Sequence, residues 1–117
     1  MERRQVEVND IRLDTTITGP GSPTVVLCDS AGGDGEQWEH VVPLLGGYTV
    51  LTYARPGLGN SDPLPAEDAA VARPARWAAE QLRDLLRATG VPGPFVVAGC
   101  SVGGLIADAF ATEPFST

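Results

Sequence analysis

The stretch Phe95-Val96-Val97-Ala98-Gly99-Cys100-Ser101-Val102-Gly103-Gly104-Leu105-Ile106-Ala107 limits what this 117-residue chain can fold into more than any other. Phe95–Ala98 is short, apolar and partly β-branched, the pattern of a buried strand covered on both faces. From Val102 onward the residues Leu105, Ile106, Ala109 and Phe110 recur at helical spacing. A strand that runs straight into a helix needs a very sharp turn, and Ser101 stands at its apex. An apex residue of this kind sits in an unfavourable backbone region, at a cost of about 1–3 kcal/mol. Gly99 and Gly103, two positions to either side, remove side chains that would collide there. The turn pushes the Ser101 hydroxyl out of the sheet, and the helix aims its first N–H groups at the same point, a setting suited to developing negative charge. The plainer alternative for Ser101 is a surface serine capping a helix. A dinucleotide-binding finger would need glycine in place of Ser101, and a phosphate-cradling loop would end in Gly-Lys-Ser/Thr, whereas the chain contains no lysine.

The length suits one domain, and an apolar fraction of 43% is enough for a core. A net charge of −7 provides no basic surface to displace counterions from nucleic acid, and disfavours anionic membrane surfaces. No nucleic-acid or membrane partner is therefore expected; the acidity reads as a solubility feature. The N-terminus lacks the continuous apolar core of a signal peptide, and no apolar run approaches the roughly 20 residues of a membrane span. Cys28 and Cys100 fall at the ends of predicted central strands. They read as two reduced, buried thiols of a cytoplasmic protein, without metal-ligand spacing. No cofactor is implied.

Val6 and Val8, then Ile11, Leu13, Thr15 and Ile17, alternate with polar residues around Asn9-Asp10 and predict a hairpin. Gly19–Pro23 is a turn cluster. Thr24–Asp29 is apolar almost throughout and predicts a central parallel strand, followed by a Ser30–Gly35 loop. In Glu36–Leu45 the residues Trp38, Val41, Val42 and Leu45 share one helical face, and Gly46-Gly47 stop the helix. Tyr48–Ala54 predicts a further strand and Arg55–Pro63 a compact glycine-rich loop. Asp68–Thr89 predicts a long helix with Pro74 near its first turn, a buried face of Ala78, Leu82, Leu85 and Leu86, and a watery face of Glu80, Arg83, Asp84 and Arg87. Gly90 ends it. Strands alternating with helices mean an α/β fold with right-handed crossovers.

Three segments of this layout resemble the α/β-hydrolase family. Gly90–Ala107 is similar to that family's Gly-Val, apolar strand and Gly-His-Ser-Met-Gly-Gly nucleophile elbow. Tyr53–Ser61 is similar to its Asp-Arg-x-Gly-x-Gly-x-Ser loop, and Val25–Gly32 lies where the family has its His-Gly oxyanion loop. The resemblance covers essentially the whole chain. It implies an incomplete α/β-hydrolase fold, with an N-terminal β-hairpin and strand–helix units in a mostly parallel five-stranded sheet flanked by helices. Residues 1–117 would be the N-terminal portion of one domain, truncated after the elbow helix. The elbow strand Phe95–Gly99 would then be an apolar, poorly protected edge, inviting self-association.

The same resemblance implies chemistry. Ser101 would be the nucleophile attacking a small-molecule carbonyl substrate, with the backbone N–H groups of Val102 and Ala31 as oxyanion donors. The family's acid and histidine follow the serine on later strands, and the chain stops at Thr117. Its one histidine, His40, reads as a polar residue on the outer half of a helix. Without a base the hydroxyl is a poor nucleophile, so the chain alone is expected to be inactive. Three positions depart from the family pattern: Asp29-Ser30 replaces His-Gly and points a negative charge towards the oxyanion site, Ala54 replaces an aspartate, and Cys100 replaces a histidine. A non-catalytic binding or scaffold relative, or a remnant without independent function, are the competing expectations. Ester, amide, lactone, epoxide and carbon–carbon substrates stay open.

Overall fold

A computed structural model describes residues 2–33, 36–65 and 74–112. The hairpin forms from β1 (Glu2–Val8) and β2 (Ile11–Thr18), paired antiparallel with Val8 opposite Ile11. Its two-residue turn places Asn9 and Asp10 at φ 49° and 72°, the positive values that these short polar side chains tolerate and that a type I′ turn demands. β3 (Thr24–Cys28), β4 (Thr49–Tyr53) and β5 (Phe95–Gly99) complete the sheet. The strand order is β1-β2-β4-β3-β5. β3 pairs parallel with both β4 and β5, whereas β2 runs against β1 and β4, so the sheet is mostly but not purely parallel.

Period-two alternation divides the strands between two cores. Val26, Cys28, Leu51 and Tyr53 point to one face, where they meet Leu82 and Leu85 of α1 (Ala75–Thr89) and Ile106 of α2 (Val102–Thr112). Val25, Leu27 and Val50 point to the other, under Trp38, Val41, Val42 and Leu45. The central position of β3 thus follows from its sequence: every residue of Thr24–Cys28 is buried. The arginine-rich outer face of α1 carries an Arg76–Glu80 ion pair at 3.3 Å, one turn apart. At its C-terminus, Gly90 donates its N–H to the Leu86 carbonyl.

Three expectations need correction, and one lies partly outside the described residues. Glu36–Leu45 is not one helix but two short 3-10 helices, Glu36–Trp38 and Val42–Leu45, because Pro43 supplies no N–H to carry an α-helical ladder through. The apolar face read from the spacing survives the break. The long helix begins at Ala75 with Pro74 as its N-cap, and the expected start at Asp68 lies outside the described residues. Cys28 is buried as expected, but Cys100 is exposed, since it falls past the last β5 residue. Finally, β5 is not covered on both faces: it ends the sheet, and Val96 is 50% exposed. The expectation of an apolar edge strand is the one that matches. Among the described residues no helix is long and apolar enough to cross a membrane, and no group of three or more His, Cys, Asp and Glu could hold a metal ion.

Candidate active site

β5 ends at Gly99, α2 starts at Val102, and two residues make the whole turn between them. Ser101 has φ 57°, a left-handed value that costs a non-glycine residue about 1–2 kcal/mol. The two flanking glycines are there for close approach. A Cβ on Gly99 would collide with the Gly103 carbonyl oxygen, and a Cβ on Gly103 would collide with the Cys28 and Asp29 carbonyl oxygens. The first turn of α2 can therefore rest on the end of β3 only with glycine at 103. The Cys100 N–H donates to the Cys28 carbonyl at 3.1 Å and ties the apex to the same strand end.

The Ser101 side chain is exposed, and among the described residues nothing is hydrogen-bonded to its hydroxyl. The Ser101 carbonyl is occupied, accepting from Gly104 N–H at 2.9 Å and Leu105 N–H at 3.3 Å as α2 begins. The N–H groups of Val102 and of Ala31, in the loop after β3, have no acceptor among the described residues. Serine hydroxyl, helix N-terminus and the β3 loop therefore share the same end of the sheet, the end reached by the C-termini of the parallel strands. His40 is exposed in the turn between the 3-10 helices, and no hydrogen bond joins it to Ser101.

Asp29 is 3% exposed, but its carboxylate folds back onto its own loop. Oδ1 accepts from the Ser30 N–H at 2.7 Å and from the Ser30 hydroxyl at 3.4 Å. Ser30 Oγ also lies 3.3 Å from Gln37 Oε1. Arg55, next after Ala54 on the loop that leaves β4, sends Nη1 to the Asp29 carbonyl at 2.9 Å and Nη2 to the Ser30 carbonyl at 2.8 Å. Burial pushes the Cys28 thiol up to about 11 against the opposing pull of Arg55. Burial, then the neighbouring Cys28, raises the Tyr53 phenol as well, again opposed by Arg55.

At the far end of the Arg55 loop, the Ser61 hydroxyl is a buried junction. It donates to the Ala54 carbonyl at 2.6 Å and accepts the Asp14 N–H at 2.8 Å, which joins the loop to β2. Asp14 in turn receives a two-pronged hydrogen bond from Arg3, at 3.0 and 2.7 Å. Neither Arg55 nor Ser61 was singled out from sequence. Both lie in the Arg-x-Gly-x-Gly-x-Ser segment, and that spacing was the available signal.

Known proteins share the fold described above. The family model described as "alpha/beta hydrolase fold" matches residues 23–114. An AB hydrolase superfamily protein of Gibberella zeae is 35% identical over 118 aligned positions, covering 93% of this chain and 39% of that protein. The erythronolide synthase EryA3 of Saccharopolyspora erythraea is 39% identical over 98 residues, covering 81% of this chain and 3% of the synthase. Among solved structures, epoxide hydrolase A of Mycobacterium thermoresistibile superposes with a TM-score of 0.79 at 27% identity, covering 94% of this chain and 34% of that one. The chain thus spans less than two-fifths of the length of each of these proteins.

Proposed function

Because this chain belongs to the α/β-hydrolase fold family, we propose that it carries the nucleophile half of a serine hydrolase acting on an ester or related carbonyl. Ser101 is the nucleophile in this proposal. The N–H groups of Val102 and Ala31 receive the oxyanion formed when the hydroxyl adds to the carbonyl carbon. The strained, exposed apex at Ser101, with φ 57° between strand and helix, is the observation that carries the proposal. Strain held at one polar, solvent-facing residue is a feature that concentrates at functional sites. An apex hydroxyl, rather than a carboxylate, favours acyl transfer over direct displacement at an alkyl carbon. No metal or organic cofactor enters the proposal.

The acid and the histidine that complete such a site are proposed to lie on polypeptide beyond residues 1–117, which would form the N-terminal portion of a single domain. These residues alone are then inactive. A fluorophosphonate probe tests both parts. The protein at its natural full length should label at Ser101, the 117-residue chain should label far more slowly, and Ser101→Ala should abolish labelling in each. Strong Ser101 labelling of the isolated chain would refute the inactivity, and undiminished labelling of Ser101→Ala would refute the nucleophile. Parallel assays with a p-nitrophenyl ester and an epoxide separate acyl transfer from ring opening.

One observation favours a second proposal, a non-catalytic binding relative: a carboxylate, that of Asp29, is buried in the loop assigned to the oxyanion. Saturable binding of an apolar ester analogue without turnover, at full length, would select it. The open edge of β5, with Val96 50% exposed, supports the further proposal that the chain self-associates through this strand. A dilution-stable monomer by light scattering would exclude it.

A further inference from the structure

We infer that Arg55 is a positioning residue that fixes the loop after β3, and with it the Ala31 N–H, by holding the Asp29 and Ser30 carbonyls in the two prongs of its guanidinium. The inference rests on the serine-hydrolase proposal for its catalytic consequence, but not for its structural one.

Among the described residues the loop is held at several points, one of them the 3.3 Å hydrogen bond from Ser30 Oγ to Gln37 Oε1. Cys28 is bound through its carbonyl to the Cys100 N–H. The Asp29 carbonyl lies where a side chain at Gly103 would collide with it, and accepts a hydrogen bond from Arg55 Nη1. The Ser30 carbonyl accepts both Arg55 Nη2 and the Gly33 N–H, the latter at 3.1 Å, and so closes a turn around Ala31 and Gly32. The Asp29 carboxylate holds the Ser30 N–H. The Arg55 pair comes from a side chain outside the loop, and both its bonds are to backbone carbonyls of the residues immediately before Ala31. A planar guanidinium with two parallel N–H groups sets the spacing and tilt of two successive carbonyls, which an ammonium cannot do.

An oxyanion donor works only if it already points at the place where charge develops, so loosening the loop should cost transition-state stabilisation and leave substrate binding intact. The test compares wild type, Arg55→Met and Arg55→Lys in the full-length protein. Two readouts are taken: amide hydrogen exchange across Ser30–Gly33, and steady-state hydrolysis of a p-nitrophenyl ester.

Arg55→Met is expected to raise exchange in the loop by about 10-fold or more. It should lower kcat by about 100-fold with KM within about two-fold, as loss of a preorganised donor does. Added guanidinium ion should recover part of kcat. Arg55→Lys should fall between the two on both readouts, and it decides the matter if Arg55→Met does not fold. Unchanged loop exchange in folded Arg55→Met, or in Arg55→Lys where that alone folds, would overturn the positioning role. A rise in KM with unchanged kcat would overturn its link to the oxyanion. If wild type itself neither labels at Ser101 nor turns over ester, the hydrolase proposal fails, and the exchange measurement alone upholds or overturns the role of Arg55 in the loop.

Discussion

Replacing Ser101 by glycine should stabilise the chain relative to replacing it by alanine, and by an amount the geometry sets. Ser101 is exposed and its hydroxyl has no partner among the described residues, so removing Oγ costs neither packing nor a hydrogen bond. Alanine keeps a Cβ at φ 57° and therefore keeps the strain. Glycine relieves about 1–2 kcal/mol of it. Glycine also gives the unfolded chain more freedom to lose, which takes back roughly 0.5–1 kcal/mol. The net advantage of Ser101→Gly over Ser101→Ala is about 0.5–1 kcal/mol. With an unfolding entropy near 2.1 cal/mol/K per residue, this amounts to about 2–4 °C in melting midpoint for a chain of this size. Urea unfolding followed by circular dichroism should show the midpoint moving with an unchanged m-value. Ser101→Ala itself should sit within about 0.5 kcal/mol of wild type. If the glycine variant is no more stable than the alanine variant, the strain is not stored at residue 101. Both variants should be dead to a fluorophosphonate, so that stability and reactivity part at a single side chain.

Three more outcomes follow from the site and its supports. Ser61→Ala removes a buried hydroxyl that serves both Asp14 N–H and the Ala54 carbonyl, and should cost about 1–3 kcal/mol in urea unfolding; a loss under 0.5 kcal/mol would mean the junction is dispensable. The Arg3 hydrogen bond, against some desolvation, holds the Asp14 carboxyl below its ordinary range. A depressed folded-state pKa gives stability that is present above the unfolded value, near 3.9, and is lost as pH falls through the folded one. Asp14→Asn should therefore flatten the fall in stability below about pH 4, and parallel acid limbs for variant and wild type would reject this. At pH 8, one thiol of the native chain should react quickly with Ellman's reagent and the other only on unfolding, because Cys100 is exposed while Cys28 is buried and pushed up to about 11; rapid reaction of both would contradict the placement of Cys28.

What sequence could and could not show follows from how each contact is encoded. The hairpin was legible because alternation fixes which residues face the core and Asn9-Asp10 supplies the turn chemistry. The elbow was legible because a strand pattern, a helix pattern and two glycines meet around one serine. The 3-10 pair was misread because Trp38, Val41, Val42 and Leu45 satisfy a helical spacing that Pro43 interrupts without changing the face it presents. Gln81 is buried on α1 although its type suggests water, since its place beside Leu82 and Leu85 puts it under the hairpin turn. β5 looked like a covered strand because composition reports what a strand could bury and not whether a neighbour is there to bury it.

Asp29 shows why a charge cannot be assigned to a site from its position in the chain alone. In sequence it stands at the mouth of the oxyanion loop, where its carboxylate would oppose the charge that the loop should receive. In the fold the side chain turns through its own backbone to the Ser30 N–H, and the two carbonyls on either side of that turn are taken by Arg55. Charge-assisted hydrogen bonds of this kind are stronger than neutral ones and hold the carboxylate in place. The carboxylate is therefore one of the loop's own ties, beside those from Arg55. Backbone carbonyls, the acceptors that make this possible, are identical at every position and leave no mark in a sequence. Only the register of β3 against β4, with Leu27 opposite Thr52, brings the loop that carries Arg55 alongside Asp29 and Ser30.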